Sequence, residues 1–582
     1  MNYSQAVQRL LDKPFFSYMA ITLLQLKVVW RIWDYKDLTS GDTSAYFLDA
    51  YTWFDSQAIN IIWSPLYTTF YGSLLHITPD IYTVTILHRL IIIFASSLLV
   101  LAVMRKLLPE GIALLISAWW VILPINFNTL YEVHLFSIIP VLTACLLLLS
   151  KQTIWTRGGA IAILAGASVL VRNELSVVTL FLLSSCTLWE IWQYKTQKPS
   201  VRQYLLGYGI PLVLAGLTVL FFYSRSYLHF SDPALAASAE AKHTLNICQV
   251  YAFGYQQRHP EWNLSPWTEC HGLMEQTFGQ SLPSLVEALG ANPIAILEHF
   301  RWNTSLALNG IQVSLFNATS GAVNPDYAPV HLNSNWVIIP TIAVGLILMI
   351  GLIQLYRNRH FWWESWLKQR IWGWLILIAV AAVTVFLVIP TQRPRPSYMF
   401  VLAILLMAAT GMSLVVITLR WSAALKRFNL LIPTIAVMLL IAVPNYYTNS
   451  ERRLLDLYNR FQPFQNLIAE DKTVFLTREF SNELCSYLRK AEMCKPLSYA
   501  SNDFFAEVPE TRSLKGLLNH QKVNLFYVDA NLLQKLESNP RTQKFLTEPG
   551  SMGWKLIAME DSGDRWMLFQ RLRRRSVQQN DA

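Results

Sequence analysis

The chain has 582 residues, of which 53% are hydrophobic and only 14% charged, and its formal net charge is +10. A soluble globular domain carries about 25% charged residues, so this composition excludes an ordinary soluble enzyme and, being so apolar, a disordered chain. The basic excess calls for no nucleic-acid partner, because it collects in the loops between apolar runs.

Those runs, each near the ~20 residues needed to cross a bilayer, recur along the first three quarters of the sequence. In chain order they are Phe15–Trp33, Val84–Met104, Gly111–Phe127, His134–Leu149, Gly158–Val171, Leu175–Trp192, Leu205–Tyr223, Trp336–Tyr356, Ile371–Ile389, Tyr398–Leu419 and Leu430–Pro444. The expected fold class is an α-helical integral membrane protein with about eleven transmembrane helices, followed by a small α/β domain. The first run has basic residues before it and no small-residue cleavage site, which reads as a retained anchor.

Basic residues mark every second connection. Arg9 and Lys13, Arg105 and Lys106, Lys151 and Arg157, then Lys195, Lys198 and Arg202 fall on one side. Arg357, Arg359, Lys368 and Arg370 follow on that side, then Arg420, Lys426 and Arg427. The positive-inside rule assigns that side to the cytoplasm. The other side then receives loops 34–83 and 224–335 and everything after Asn445. Two domains are expected, a polytopic one over 1–445 and an extracytoplasmic α/β domain over 446–582.

Loops longer than about 12–15 residues are usually functional or disordered, and these are too aromatic for disorder. Leu48–Trp63 mixes Tyr51, Trp53 and Phe54 with Asp49 and Asp55, the pattern of an amphipathic interfacial helix. Asp471–Thr477, Val523–Asp529 and Trp554–Met559 read as strands, with a helix over Glu483–Lys490. Asp561-Ser562-Gly563-Asp564 would turn the last strand into a hairpin. Cys145 and Cys186 lie in apolar runs as small hydrophobes. Cys248 with Cys270, and Cys485 with Cys494, form two local pairs on the oxidising side, which suggests two disulfides.

Few ionisable groups come near membrane depth, and a charge there costs several kcal/mol unless paired or solvated. Each candidate has a plain structural alternative. Asp42, in Ser40-Gly41-Asp42-Thr43-Ser44-Ala45-Tyr46, follows the first run and suits a general base, but Asp also caps helices well. Glu132 and His134 follow the third run and could be ordinary interfacial residues. As a pair they fall short of the three protein ligands of catalytic zinc, so no clear ligand set calls for a divalent metal. Arg172-Asn173-Glu174 sits between two short runs, either in a protein-lined cavity or as a tie between helices. In Gln392-Arg393-Pro394-Arg395-Pro396-Ser397-Tyr398, arginines held extended at a helix mouth offer forks suited to phosphate oxygens, or they snorkel from a surface turn.

In their order, these residues resemble the GT-C membrane glycosyltransferases. The carriers are Asp42 after helix one, Tyr46 four residues on, Trp63-Ser64-Pro65-Leu66-Tyr67, Glu132, Arg172-Asn173-Glu174, and Arg395-Pro396-Ser397-Tyr398. The resemblance runs from about Pro14 to Leu419 and extends weakly to the last domain. Its nearest branch is the bacterial relatives of protein O-mannosyltransferases and of the transferases that add aminoarabinose to lipid A. Those groups usually carry Asp-Glu at the first-loop site. Here the pair is Asp42-Thr43, which leaves a second acidic role open to Asp49, Asp55 or Glu132.

The resemblance implies a multi-pass protein of the bacterial inner membrane with an extracytoplasmic active site. It implies a polyprenyl-phosphate-linked sugar as donor, membrane lipids as surroundings, and one inverting displacement onto a protein, lipid or glycan acceptor. Asp42 would be the base. Arg172, Arg393, Arg395 and Tyr398 would meet the donor phosphate, with Tyr46 and Glu174 in support. A lipid-linked polysaccharide polymerase or ligase would share the arginines without needing Asp42. A transporter or flippase of lipid-linked sugars would instead place charges or broken helices near the midplane. Neither the sugar, the acceptor nor the oligomeric state is legible.

Overall fold

The protein is described by a computed structural model over residues 13–32, 42–123, 132–317, 337–419, 475–477, 494–496 and 514–572, with brief omissions (63, 79, 151–152, 198–200, 228–231, 268, 521, 539 and 561–564). The chain forms two compact units. One comprises Met1–Asp34, Gln57–Tyr71 and Ile86–Glu451, the other Tyr35–Ser56, Gly72–Thr85 and Arg452–Ala582.

Among the described residues, each of the first ten apolar runs lies at least in part on a helix. In chain order these are Pro14–Val28, Ile81–Leu107, Glu110–Val121, Glu132–Ser150, Ile154–Leu170, Leu175–Gln197, Val201–Tyr227, Ile338–Arg357, Lys368–Val383 and Phe400–Leu419. The eleventh, Leu430–Pro444, lies outside the described residues. Among the described residues, seven helices are long and apolar enough to cross a bilayer, and the chain is a multi-pass membrane protein.

Without a hydrophobic drive between helices in lipid, close backbone approach decides which of them pair. Ile154–Leu170 starts on a capping box made by Thr153 and Thr156. It then crosses Val201–Tyr227 so tightly that a Cβ on Gly158 would sit 2.0 Å from the Gly207 carbonyl oxygen. The helical stretch Arg359–Thr391 carries two π-helical segments, Trp363–Leu367 and Thr384–Val388. Beyond Thr391 the chain turns through Gln392–Arg395 into a short 3-10 helix, Pro396–Met399, and so into Phe400–Leu419.

Residues 232–316 form a helical lobe from Asp232–Arg258, Cys270–Phe278, Leu285–Ala291, Pro293–Ser305 and Ala307–Phe316. Its core gathers Tyr251, Leu273, Met274, Phe278 and Ile296, and a disulfide joins Cys248 to Cys270. Of the second cysteine pair, Cys485 and the Cys494 side chain lie outside the described residues.

The other unit holds a five-stranded sheet in the order β2-β1-β3-β5-β4, from β1 Phe475–Thr477, β2 Cys494–Pro496, β3 Leu525–Val528, β4 Trp554–Glu560 and β5 Trp566–Arg571. β1 pairs in parallel with β2 and β3, whereas β5 runs antiparallel to β3 and β4. All four residues of β3 are buried, as befits a central strand covered on both faces. The proposed hairpin turn 561–564 and the helix Glu483–Lys490 are outside the described residues.

One expectation is corrected. The helix read over Leu48–Trp63 instead spans Asp42–Ser56. It stops because Gln57 takes φ 54 and the Asn60 side chain accepts a hydrogen bond from the Ile62 amide at 3.0 Å, a local turn that competes with helix. This helix lies close against Gly72, where a Cβ would meet the Ala50 carbonyl oxygen at 2.1 Å.

Candidate active site

Four residues from three separate connections meet in one cavity. His134 comes from the first turn of Glu132–Ser150, and Arg172 and Glu174 from the link between Ile154–Leu170 and Leu175–Gln197. Tyr398 comes from the 3-10 helix that follows Arg395. With Ser137, Ser397 and a ring of aliphatic side chains they line a space of about 40 Å³. That is room for two or three waters, too little for a sugar, so a substrate would have to widen it.

The link is built to present Arg172. The helix ends as the Val171 and Arg172 amides both bond the Ala167 carbonyl, at 2.9 and 3.0 Å, and the Leu175 amide returns to the Arg172 carbonyl at 3.1 Å. From the Trp63-Ser64-Pro65-Leu66-Tyr67 stretch, the Ser64 hydroxyl donates to the Val171 carbonyl at 2.9 Å. Ser64 takes φ 47 to do so, a left-handed conformation that costs a non-glycine residue about 1–2 kcal/mol.

The Arg172 guanidinium is held on three sides. One terminal nitrogen contacts both ring nitrogens of His134, Nε2 at 3.1 Å. The other pairs with the Glu174 carboxylate. The Tyr398 ring lies 5.2 Å from its carbon and meets the His134 ring edge to face at 4.7 Å. An arginine N–H can only donate, so the histidine nitrogen it binds must offer its lone pair. Arg395 is near enough for its charge to act on the same ring.

Arg393 goes elsewhere. It is buried, with its guanidinium 4.7 Å above the Phe253 ring of the 232–316 lobe. Its charge, after burial and Arg258, helps to hold the buried His299 imidazole down to about 3. The two arginines of Gln392–Tyr398 therefore serve different neighbourhoods, and only Arg395 belongs with His134.

Asp42, Tyr46, Asp49 and Asp55 lie on the helix Asp42–Ser56 of the second unit. The spacing of Asp42, Tyr46 and Asp49 places them on one face, and Asp55 off it. The side chains of Asp42 and Glu132 lie outside the described residues. Among the described residues no group of three metal-ligating side chains gathers.

Sequence reasoning passed over His88 and Arg89, both buried within Ile81–Leu107. The His88 ring stacks on Tyr71 at 3.9 Å and meets Tyr67 edge-on at 5.2 Å. Tyr67 in turn touches Phe136 at 5.5 Å, two residues from His134. The signal was a His–Arg dipeptide inside an otherwise apolar run, which membrane cost alone should have flagged.

No family model matches the chain, and no curated protein matches it. Among solved structures, it is similar to the archaeal oligosaccharyltransferase AglB of Archaeoglobus fulgidus in complex with an inhibitory peptide and a dolichol-phosphate. The match has 12% identity and a TM-score of 0.42, covering 92% of this chain and 69% of that one. It is also similar to ArnT of Cupriavidus metallidurans bound to undecaprenyl phosphate, at 10% identity and a TM-score of 0.38, covering 94% of this chain and 96% of that one. Likenesses this distant carry no residue and no substrate across.

Proposed function

We propose that this protein is a membrane glycosyltransferase that moves a sugar from a polyprenyl-phosphate donor to an extracytoplasmic acceptor. The observation that supports it most is the Arg172 guanidinium, held by His134, Glu174 and Tyr398 at a cavity beside the Arg395 helix mouth.

An acceptor hydroxyl attacks the anomeric carbon of the donor. Its O–H proton passes to a carboxylate, the new C–O bond forms with inversion, and the bond from that carbon to the phosphate oxygen breaks. The polyprenyl phosphate leaves with the electron pair. Its growing charge needs fixed cations in a poorly hydrated site, the usual large term in such catalysis. Arg172 presents the planar fork of N–H donors that suits a phosphate oxygen. Arg395 adds a second positive charge to that neighbourhood. Asp42 is the candidate base, on the strength of the motif resemblance.

Mass analysis of envelope glycans, lipids and glycoproteins, with and without the gene product, tests the activity. A sugar increment should vanish without the protein and return with the wild type. Asp42→Asn keeps helix-capping ability but loses basicity, so transfer should fall by ~10²-fold or more at normal expression. An unchanged envelope in the absence of the protein would overturn the proposal, and full activity of Asp42→Asn would remove Asp42 from the mechanism.

A further inference from the structure

The helices Leu285–Ala291 and Pro293–Ser305 have two apolar faces. One face carries Ala288 and Ile296 into the core of the 232–316 lobe. The other leaves Val286, Leu289, Ile294 and Leu297 exposed, Val286 at 81%. Isolated exposed hydrophobes are normal, but a contiguous set marks a surface with an occupant.

Continuity identifies that occupant. An open groove of about 690 Å³ is lined by Leu297, Phe300 and Arg301 together with Phe386 and Leu387. Phe386 and Leu387 belong to the membrane-crossing stretch Arg359–Thr391, and Phe386 is 81% exposed. At 1.5 Å per residue, Phe386 stands about 24 Å along the helix from Arg370 and Thr391 about 32 Å. A bilayer core of about 30 Å, with Arg370 near one boundary, puts Phe386 inside the hydrocarbon and Thr391 at the opposite boundary. Leu297 lines the same groove as Phe386, and its helix packs against Ile389–Thr391, which places it near that opposite boundary.

We propose that Leu285–Ser305 is a monotopic anchor whose exposed apolar face rests in the bilayer surface at the end of the helices opposite Arg370. Lipid chains fill the groove, and Arg301 meets the phosphate headgroups, as basic residues do beside the apolar face of interfacial helices. The anchor fixes the height of the 232–316 lobe above the membrane. This rests on the membrane-spanning reading alone and stands whether or not the protein transfers sugars.

Reconstitution of the full chain in nanodiscs tests it. Val286→Cys, Ile294→Cys and, as a control on the lobe, Glu275→Cys are labelled with an environment-sensitive fluorophore. The unsubstituted protein supplies the background from native thiols. Lipids bearing a shallow spin label should strongly quench the probes at 286 and 294 and leave 275 unaffected, while aqueous iodide should do the reverse. Iodide quenching at 286 and 294 equal to that at 275 would overturn the anchor. Protection from both quenchers would also overturn it, in favour of a protein partner or a second copy on that face.

Discussion

Two arginine–glutamate pairs stand at opposite ends of the helix Ile154–Leu170, and they differ in almost every respect. Arg157 reaches across to Glu190 on the next helix at 2.6 Å, with side chains only 4% and 9% exposed. Tyr208 donates to the same carboxylate at 3.1 Å, and the Gly158–Gly207 crossing lies one residue away. Arg172 pairs with Glu174, its near neighbour in sequence, with side chains 17% and 27% exposed, and both line a cavity. The first pair joins three helices and offers nothing to a ligand. The second pair closes within one link, with Arg172 also meeting His134 and Tyr398 of neighbouring helices, and it holds a cation at the wall of that cavity. The same chemistry is a clamp in one setting and, on the proposed function, a site in the other, with burial and partner distance as what separates them.

The largest expected effect lies at the clamp. Gly158→Leu would drive a side chain into the Gly207 backbone, and folded protein should be lost from detergent extracts on size-exclusion chromatography. Normal yield would show that the crossing tolerates bulk. Breaking the buried pair with Glu190→Ala leaves Arg157 uncompensated and should cost about 3–5 kcal/mol, read as a lowered unfolding midpoint. At the other end, Arg172→Ala should leave that midpoint near wild type while sugar transfer falls by ~10²–10³-fold, the cost of removing one donor to developing charge. A matching drop in stability would make Arg172 a second clamp.

Smaller effects sharpen the distinction. Ser64→Ala removes one hydrogen bond to the Val171 carbonyl, worth about 1 kcal/mol, and should slow transfer several-fold through the position of Arg172. Acid provides a control away from both pairs. His299 titrates near 3 in the folded lobe against an ordinary 6.5, because burial and then Arg258 disfavour its charged form. A depressed histidine stabilises the fold above its unfolded value. That stability drains as pH falls from about 6.5 toward 3, by up to about 1.4 kcal/mol per pH unit. His299→Gln should flatten this slope between pH 6.5 and 5, and an unaltered slope would assign the loss to other groups.

What the sequence revealed follows the same division. Membrane helices announce themselves because every backbone group must be satisfied within the span, so an apolar run of the right length has one outcome. The Arg172-Asn173-Glu174 link was legible because it interrupts such runs. Glu190 was not singled out, since its partner stands 33 residues away and nothing local marks the pairing. The Ser64 hydroxyl, 107 residues from its acceptor, and the stacking of His88 on Tyr71 are likewise products of packing. The helix read over Leu48–Trp63 misled because Ile59, Ile61 and Ile62 continue an apolar pattern that Gln57 and Asn60 break through local backbone geometry.

The most direct test sets the two arginines side by side. Arg157→Lys and Arg172→Lys each keep the charge and remove the planar fork. The purified variants would be compared for unfolding midpoint and for sugar transfer per folded molecule. Arg157→Lys should lower the midpoint and leave transfer per folded molecule near wild type. Arg172→Lys should do the opposite, with transfer down by ~10²-fold and the midpoint unmoved. If Arg172→Lys transfers sugar normally, or if both variants lose stability alike, the cavity beside Arg172 is not the catalytic centre.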